Sequence, residues 1–257
     1  MNTIHPTAIV SPKAKLGDNI EVAPYVIIHD DVEIGNDTKI GPHVVIYDGA
    51  RIGNNVKIHQ SAAVSNIPQD LKFAGEETQF YIGDNTVIRE FVTLNRGTVE
   101  TGYSKIGNNC LLMAYTHVGH DTKIGDNCII ANSVQMGGHV EIEDYVIIGG
   151  ATPVHQFCKV GKHSMTGGGF RITVDVPPFV TAASEPLRYS GLNVIGLRRR
   201  GFSNDEIDII KEAYQVIYQS GLNFTQAKEK LSREFDHPHV LSIVDFMERS
   251  TRGMLRK

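Results

Sequence analysis

Every sixth residue from Ile4 to Val64 is aliphatic, beginning Ile4, Val10, Leu16, Val22 and Ile28. The spacing resumes at Ile82, Ile88 and Leu94, and again from Ile106 to Val160, where Met136 is the one unbranched member. The fourth residue after each is small or β-branched, as at Ala14, Val26, Thr38, Val44, Cys110, Thr122, Cys128, Val134 and Ser164. A period of six fits neither the roughly 3.6 of an α-helix nor the roughly 3.5 of a coiled coil. Strands of an ordinary sandwich would run longer and close on hairpin turns. Each hexad therefore reads as a short strand plus a turn, with one aliphatic and one small residue pointing inward. Glycine often follows the aliphatic residue directly, at Gly35, Gly41, Gly53, Gly83, Gly107 and Gly125, which predicts a sharp turn with positive φ there.

Hexads of this kind resemble the left-handed parallel β-helix, in which three hexads make one triangular coil of eighteen residues. The left hand is implied by that resemblance alone, since the usual rule for parallel crossovers gives the opposite. The step of six falls on Asp70, Glu76 and Glu100, and unpaired carboxylates cannot line an apolar core. Segments 65–81 and 95–105 are therefore expected to loop outward, and long loops on a rigid scaffold often carry function. The repeat fades after Val160, and Asp175-Val176-Pro177-Pro178 is expected to end the coil. Ser203 followed by Glu206 is a capping box opening a helix over Ile207, Ile210, Tyr214 and Ile217, which Gly221 stops. Two shorter helices are expected near 224–235 and 239–250. The fold class is all-β with an α C-terminus: a β-helix over 1–184 followed by a small helical domain over 185–257.

Composition narrows the function. The 257 residues are 41% hydrophobic with a net charge of −4, enough to bury a core and poorly suited to general nucleic-acid binding. From Glu185 onward Lys and Arg number 12 against 10 Asp and Glu, and before it 13 against 19, so a mildly basic end could serve an acidic partner. No run of about 18 apolar residues predicts a membrane span, and the start lacks the signal-peptide pattern. Three cysteines without a CxxC, Cys110, Cys128 and Cys158, suit a reduced cytoplasmic protein. Cys110 and Cys128, one coil apart, are expected to stack inside the core as structural thiols.

The histidines supply the candidate chemistry. His117, His120, His139, His155 and His163 are expected to share one sector of a coil that needs no histidine. Residues one coil apart lie about 4.8 Å from each other, which sets His120 beside Gly138, Asp121 beside His139, and Gly137 beside His155. A neutral imidazole can take a proton from an alcohol near neutral pH. A carboxylate can hold its tautomer, and a glycine N–H can face a developing oxyanion. Read singly, each histidine is an ordinary surface residue on a turn; the stacking is what asks for a reason. Zinc is the competing reading, because the γ-class carbonic anhydrases bind it through histidines on a similar coil. Their pair with four residues between is missing: two residues separate His117 from His120, and seven separate His155 from His163. Gly167-Gly168-Gly169 lacks the Lys-Ser/Thr of a phosphate-binding loop.

Further motifs resemble one family over nearly the whole chain. They are Gln69-Asp70-Leu71-Lys72, Arg96-Gly97-Thr98, His117-x-x-His120-Asp121, Gly149-Gly150, Val154-His155-Gln156-Phe157-Cys158, Asp175-Val176-Pro177-Pro178, Arg199-Arg200-Gly201-Phe202-Ser203 and Ser250-Thr251-Arg252-Gly253. Together they resemble the UDP-N-acetylglucosamine O-acyltransferases of lipid A synthesis. The resemblance implies that His120 is the general base on the glucosamine 3-hydroxyl, that Asp121 orients it, and that Gly138 supplies the oxyanion amide. It implies substrate contacts from Gln69, Asp70, Lys72, His117 and His139, and further ones from His155, Gln156, Asn193, Arg199 and Arg200. Acyl-chain length would be set near Met165 and Gly168. The donor would be a (3R)-3-hydroxyacyl chain on acyl carrier protein, whose phosphopantetheine thioester makes a separate cofactor or metal unnecessary. The acceptor would be UDP-N-acetylglucosamine, and the assembly a homotrimer with sites between subunits. Two positions depart from the pattern: Ile195 stands where well-known members have glutamate, and Pro186 where they have histidine.

No serine or cysteine adjoins His120 in this reading, so direct transfer is expected over a covalent intermediate. Rival readings are the related N-acyltransferase, an acetyl-CoA-dependent transferase, and a structural or ice-binding β-helix. The N-acyltransferase adds an N-terminal uridine-binding domain, for which hexads beginning at Ile4 leave no room. An ice-binding coil would carry threonine ladders and unbroken turns rather than clustered histidines and long loops.

Overall fold

A computed structural model describes residues 1–257. Short parallel strands wind around three faces, opened by Thr3–Ile4, Ile9–Val10 and Lys15–Leu16. The first face becomes an 11-stranded sheet and the other two 8-stranded sheets. Each strand pairs with the strand one coil later, as Leu112 with Ile130 and Ile130 with Ile148. From Val22 onward the aliphatic residue of each hexad is buried, and Ile46, Val64, Ile88, Leu112 and Ile130 are fully so; Ile4, on the open first coil, is 43% exposed. No helix is long and apolar enough to cross a membrane.

The small position has its own logic. Thr38, Thr86, Thr122 and Thr152 are fully buried, and each hydroxyl donates to a corner carbonyl: Gly53, Gly107, Gly137 and Gly167 respectively. Cys110 and Cys128 do the same with their Sγ, at 3.1 Å from the carbonyls of Gly125 and Glu143. The two cysteines do stack, the Cys128 N–H lying 3.4 Å from Cys110 Sγ. A polar group in this core is tolerated because the neighbouring coil supplies its acceptor.

The glycines after the aliphatic residues do not have positive φ. That conformation falls two residues later, on Asp37, His43, Asn55, Asn85, Asn109 and Asn127. Glycine is present for close stacking: a Cβ on Gly35 would fall 2.6 Å from the carbonyl of Gly53, and one on Gly107 2.6 Å from that of Gly125.

The excursions are narrower than the carboxylate breaks predicted. Strands take Ala63–Asn66, Gln79–Ile82, Thr93–Asn95 and Tyr103–Ile106, leaving 67–78 and 96–102 as loops. Both leave from the second-to-third corner. Because the inserts are multiples of six, Ile58 still pairs with Ile88 and Ile88 with Leu112. Nor does Asp175–Pro178 end the coil. Val176 still bridges Val160, and Val180–Ala183 adds another parallel strand on the first face. The prolines sit at a corner, where no ladder hydrogen bond is asked of them. Arg188–Leu192 then pairs antiparallel with Val180–Ala183 and reverses the chain.

Four helices follow: α1 (Val194–Arg199), α2 (Asn204–Gln219), α3 (Phe224–Glu234) and α4 (Pro238–Arg249). The Ser203–Glu206 capping box of α2 is formed. Tyr214, fully buried on α2, donates its hydroxyl to the Pro178 carbonyl at 2.6 Å, and Arg249 of α4 reaches Glu143 at 2.5 Å. These contacts seat the helices on the C-terminal end of the coil.

Candidate active site

Three successive coils meet at the second-to-third corner with His120, Gly138 and Gln156 at one level, and Asp121, His139 and Phe157 at the next. The His139 N–H donates to the His120 carbonyl, and the Phe157 N–H to that of Gly138. Asp121, His139 and Phe157 all have positive φ, which throws their side chains to one side. His139 stacks on Phe157 with centroids 4.6 Å apart and meets His120 edge-on at 5.1 Å.

His120 Nδ1 lies 2.8 Å from Asp121 Oδ2. That contact puts the imidazole proton on Nδ1 and leaves Nε2 as the free basic nitrogen. Asp121 is 2% exposed and its oxygens are otherwise filled. Oδ1 accepts from the Thr98 N–H at 2.9 Å and from the Thr101 hydroxyl, and Oδ2 from the Thr98 hydroxyl at 2.8 Å. Burial pushes the Asp121 carboxyl up, but the hydrogen bonds from Thr101, His120 and Thr98 outweigh it and hold it below the ordinary carboxylate range. Asp121 is thus an anion fixed by donors from loop 96–102. A Cβ on Gly138 would come 2.6 Å from His120 Nε2, so only glycine leaves the ring its place, and the Gly138 N–H has no protein acceptor.

Ligand atoms of His120, Asp121 and His139 all lie within 4.8 Å of one another, a spacing that could hold a metal ion. The donor set fits poorly. Asp121 already accepts four hydrogen bonds, and His120 turns Nδ1 toward it rather than toward a shared centre.

A cavity of about 620 Å³ opens in front of this corner. Six of the expected residues line it: Gln69, Asp70, Lys72, His120, His139 and Gln156. The loop bearing the first three is clipped to the coil. The Asn95 side chain donates to the Ile67 carbonyl, Arg96 donates to that of Asp48, and the Arg96 guanidinium lies 5.7 Å from the Phe73 ring centre.

Other expected residues lie elsewhere. His117 flanks the site with Nδ1 2.8 Å from the Thr93 hydroxyl; burial and the neighbouring His120 push its pKa down. His155 stands beside Gln156 outside the cavity, 3.2 Å from Arg252. Asn193 is buried, capping α1 and donating to the His163 carbonyl. Arg199 is exposed on α1. Arg200 packs over Tyr145, with Nη1 3.4 Å from His163 Nδ1. Met165 points outward from the first face, 39% exposed. Gly168 lies at the first-to-second corner, where a Cβ would meet the Gly150 carbonyl at 2.9 Å.

His163 does not share the histidine sector. It stacks between Tyr145 and Phe179 at the third-to-first corner, and burial and the Arg200 guanidinium push its pKa down to about 4. Counting back in eighteens from His163 reaches Tyr145 and Asn127, not His120, so the coil length separates them. Sequence reasoning notes Thr98 in a motif and Glu100 as a break in the repeat but gives neither a role at the site, and it misses Thr101; the Glu100 carboxylate lies 3.5 Å from His139. A buried aspartate requires donors, which is the signal that could have drawn attention to the threonines.

A hexad coil with an Asp-oriented histidine over a glycine corner defines the class of hexapeptide-repeat acyltransferases. Residues 31–66 and 103–138 match the bacterial transferase hexapeptide family, and 175–255 match a family described as UDP N-acetylglucosamine O-acyltransferase, domain 2. The acyl-[acyl-carrier-protein]–UDP-N-acetylglucosamine O-acyltransferase of Chlorobaculum parvum is 54% identical over 98% of this chain and 97% of its own. That of Thiobacillus denitrificans is 46% identical over the full length of both. The crystal structure of a UDP-N-acetylglucosamine acyltransferase from Bacteroides fragilis superposes with a TM-score of 0.96 at 49% identity, covering 99% of this chain and 100% of that one. The chain belongs to the acyl-[acyl-carrier-protein]–UDP-N-acetylglucosamine O-acyltransferase family, and it is an acyltransferase.

Proposed function

We propose that this protein transfers a (3R)-3-hydroxyacyl chain from acyl carrier protein to the 3-hydroxyl of UDP-N-acetylglucosamine, the first step of lipid A biosynthesis. The observation that carries the mechanism is the His120–Asp121 contact of 2.8 Å, which frees Nε2 beside Gly138. His120 Nε2 takes the hydroxyl proton as the sugar oxygen attacks the thioester carbonyl. The Gly138 N–H receives the oxyanion. Collapse breaks the C–S bond, the imidazolium returns its proton to the leaving sulfur, and an ester and a free carrier thiol result. The carrier's phosphopantetheine supplies the thioester, so no metal or further cofactor enters the reaction.

Lys72, Gln69, Asp70, His139 and Gln156 hold the acceptor in the cavity, with His117 and His155 at its flank. Asn193, Arg199, Arg200, Met165 and Gly168 act on a site shared with a second protomer of a homotrimer. The outer surface of the coil supports that assembly. Val87, Leu111, Ile129, Ile147 and Met165 stack along the outside of the first face, whereas the third face turns Lys15, Glu33, Arg51, Lys105, Lys123, Glu141 and Lys159 outward. The second face carries a shorter apolar row nearer the N-terminus, Ile9, Ile27, Val45 and Ala63. The first-face stripe suits burial against another copy and against an acyl tail. Three free cysteines, all buried, suit a reducing cytoplasm.

Mass spectrometry of products formed from UDP-N-acetylglucosamine and a panel of hydroxyacyl carriers tests the reading. The expected product is a singly O-acylated nucleotide sugar, formed undiminished after chelator treatment, from a protein that light scattering reports as three chains. Transfer only from acetyl-CoA, or to an amine, would replace this reaction with another.

A further inference from the structure

The Ser250-Thr251-Arg252-Gly253 ending has no role in the mechanism above, yet its backbone is fixed with care. Asp175 is fully buried. It accepts from the Lys159 N–H at 2.7 Å, the Ser250 hydroxyl at 2.7 Å, and the Thr251 and Arg252 N–H groups at 3.1 Å each. Its own N–H donates to the Gly253 carbonyl, and its carbonyl accepts from Leu255. One buried carboxylate with four donors holds the tail in a single place on the coil.

What the clamp delivers is Arg252. Its backbone is pinned while its side chain is exposed, and Nη2 lies 3.2 Å from His155 Nδ1. A guanidinium only donates, so His155 Nδ1 accepts and the ring proton sits on Nε2. The approach of the same Nδ1 to the Gln156 carbonyl, at 3.1 Å, then has no proton to share. His155 is left with an outward N–H, next to the remaining N–H groups of Arg252. No carboxylate stands within 4.0 Å of the Arg252 guanidinium. Arg249, three residues earlier, is instead consumed by Glu143 and Asp245. A positioned, unpaired guanidinium beside an imidazole N–H is an anion cradle.

Its place in the fold suggests which anion. His155 adjoins Gln156, which lines the cavity and stands two coils above His120, about 10 Å along the axis. Resting on the reaction proposed above, we propose that Arg252 and His155 bind a phosphate group of one of its two substrates. The sources are the phosphodiester of the carrier's phosphopantetheine and the diphosphate of the nucleotide sugar. Both lie beyond the reacting atoms, not at them.

The test compares wild type with Arg252→Gln and Arg252→Lys. Donors are acyl-phosphopantetheine and acyl-pantetheine, which differ only in the phosphate, and the acceptor is UDP-N-acetylglucosamine. Losing one charge-assisted contact should raise one KM about tenfold while kcat changes little, and the lysine variant should recover part of it. If the donor is the source, the wild type prefers the phosphorylated arm and Arg252→Gln does not. If the acceptor is the source, its KM rises and the two donors are affected alike. Calorimetric binding of UDP-N-acetylglucosamine and acyl-phosphopantetheine gives the same answer without turnover, so a wild type that transfers nothing would sink the reaction and not the cradle. Both KM values and both affinities within about twofold of wild type for Arg252→Gln would overturn the cradle. So would an equal loss in both variants together with a lowered melting temperature.

Discussion

The third-to-first corner carries a column of amide and carboxylate side chains: Asn36, Asn54, Asp84, Asn108, Asp126 and Asp144. Each accepts from the backbone N–H of its counterpart one coil earlier, at 2.6–2.9 Å, starting with Asp18. The second-to-third corner has the same positive-φ geometry, but its carboxylate, Asp121, takes its donors from a loop and an imidazole. In the first case the Asn/Asp column bonds only along the coil axis, and the result is a rigid spine. In the second, loops 67–78 and 96–102 interrupt the coil; the donors of 96–102 aim a side chain at a cavity that 67–78 helps to wall. One backbone corner therefore serves as strut or as active site depending on what is inserted before it.

The contrast is sharpest at His120. His120→Ala should fold with an unchanged melting temperature and lose roughly 10²- to 10⁴-fold in turnover. A variant that keeps most of its rate would place the base elsewhere.

Next in size is the pH response of the strut corner where it gives way to the Tyr145–His163–Phe179 stack. The pKa of His163 is pushed down to about 4 by burial and by Arg200, from an ordinary value of 6.5. Between those values the unfolded chain binds the proton that the folded one refuses, so stability is complete above about 6.5 and falls as pH drops toward 4. Allowing for partial burial, the loss is roughly 1–3 kcal/mol. His163→Phe, which keeps the ring stack, should flatten the melting temperature over that window. An identical profile in the variant would assign the response to other groups.

Removing the donors that hold Asp121 tests the active corner more gently. Thr98→Val with Thr101→Val should lower kcat about tenfold with KM little changed, and serine at both positions should restore it. Their loss also lets the Asp121 carboxyl rise, so the acid limb of the rate profile should move to higher pH. A rise in KM alongside the fall in kcat, without rescue by serine, would indicate a collapsed loop.

The smallest effect is expected on the spine. Asn108→Ala leaves the Asp84 N–H without its acceptor, which should cost about 1 kcal/mol of stability and leave kcat/KM unchanged. A loss of activity there would erase the distinction between the two corners.

Much of this is legible in the sequence because a hexad coil is locally encoded. Each inward aliphatic residue meets its counterpart one coil away at a fixed count, so strands, stacking cysteines and the His120–Gly138 and Asp121–His139 neighbours follow by addition. Capping at Ser203 and the helices after it are equally local. The glycine turns are misread because close stacking and positive φ leave the same mark in a sequence. The handedness comes only from resemblance. His163 looks like one of the clustered histidines, although its count of eighteens leads to Tyr145.

Tertiary structure alone decided the rest, since it depends on partners no local count connects. Thr98 and Thr101 reach Asp121 from a loop 23 and 20 residues away, and Arg252 reaches His155 across 97. Asn193 and Arg200 secure the helices to the third-to-first corner instead of lining the cavity of their own chain. Periodicity fixes what repeats along the axis, whereas the groups that hold and aim a reactive side chain come from the insertions and the tail, whose paths only packing determines.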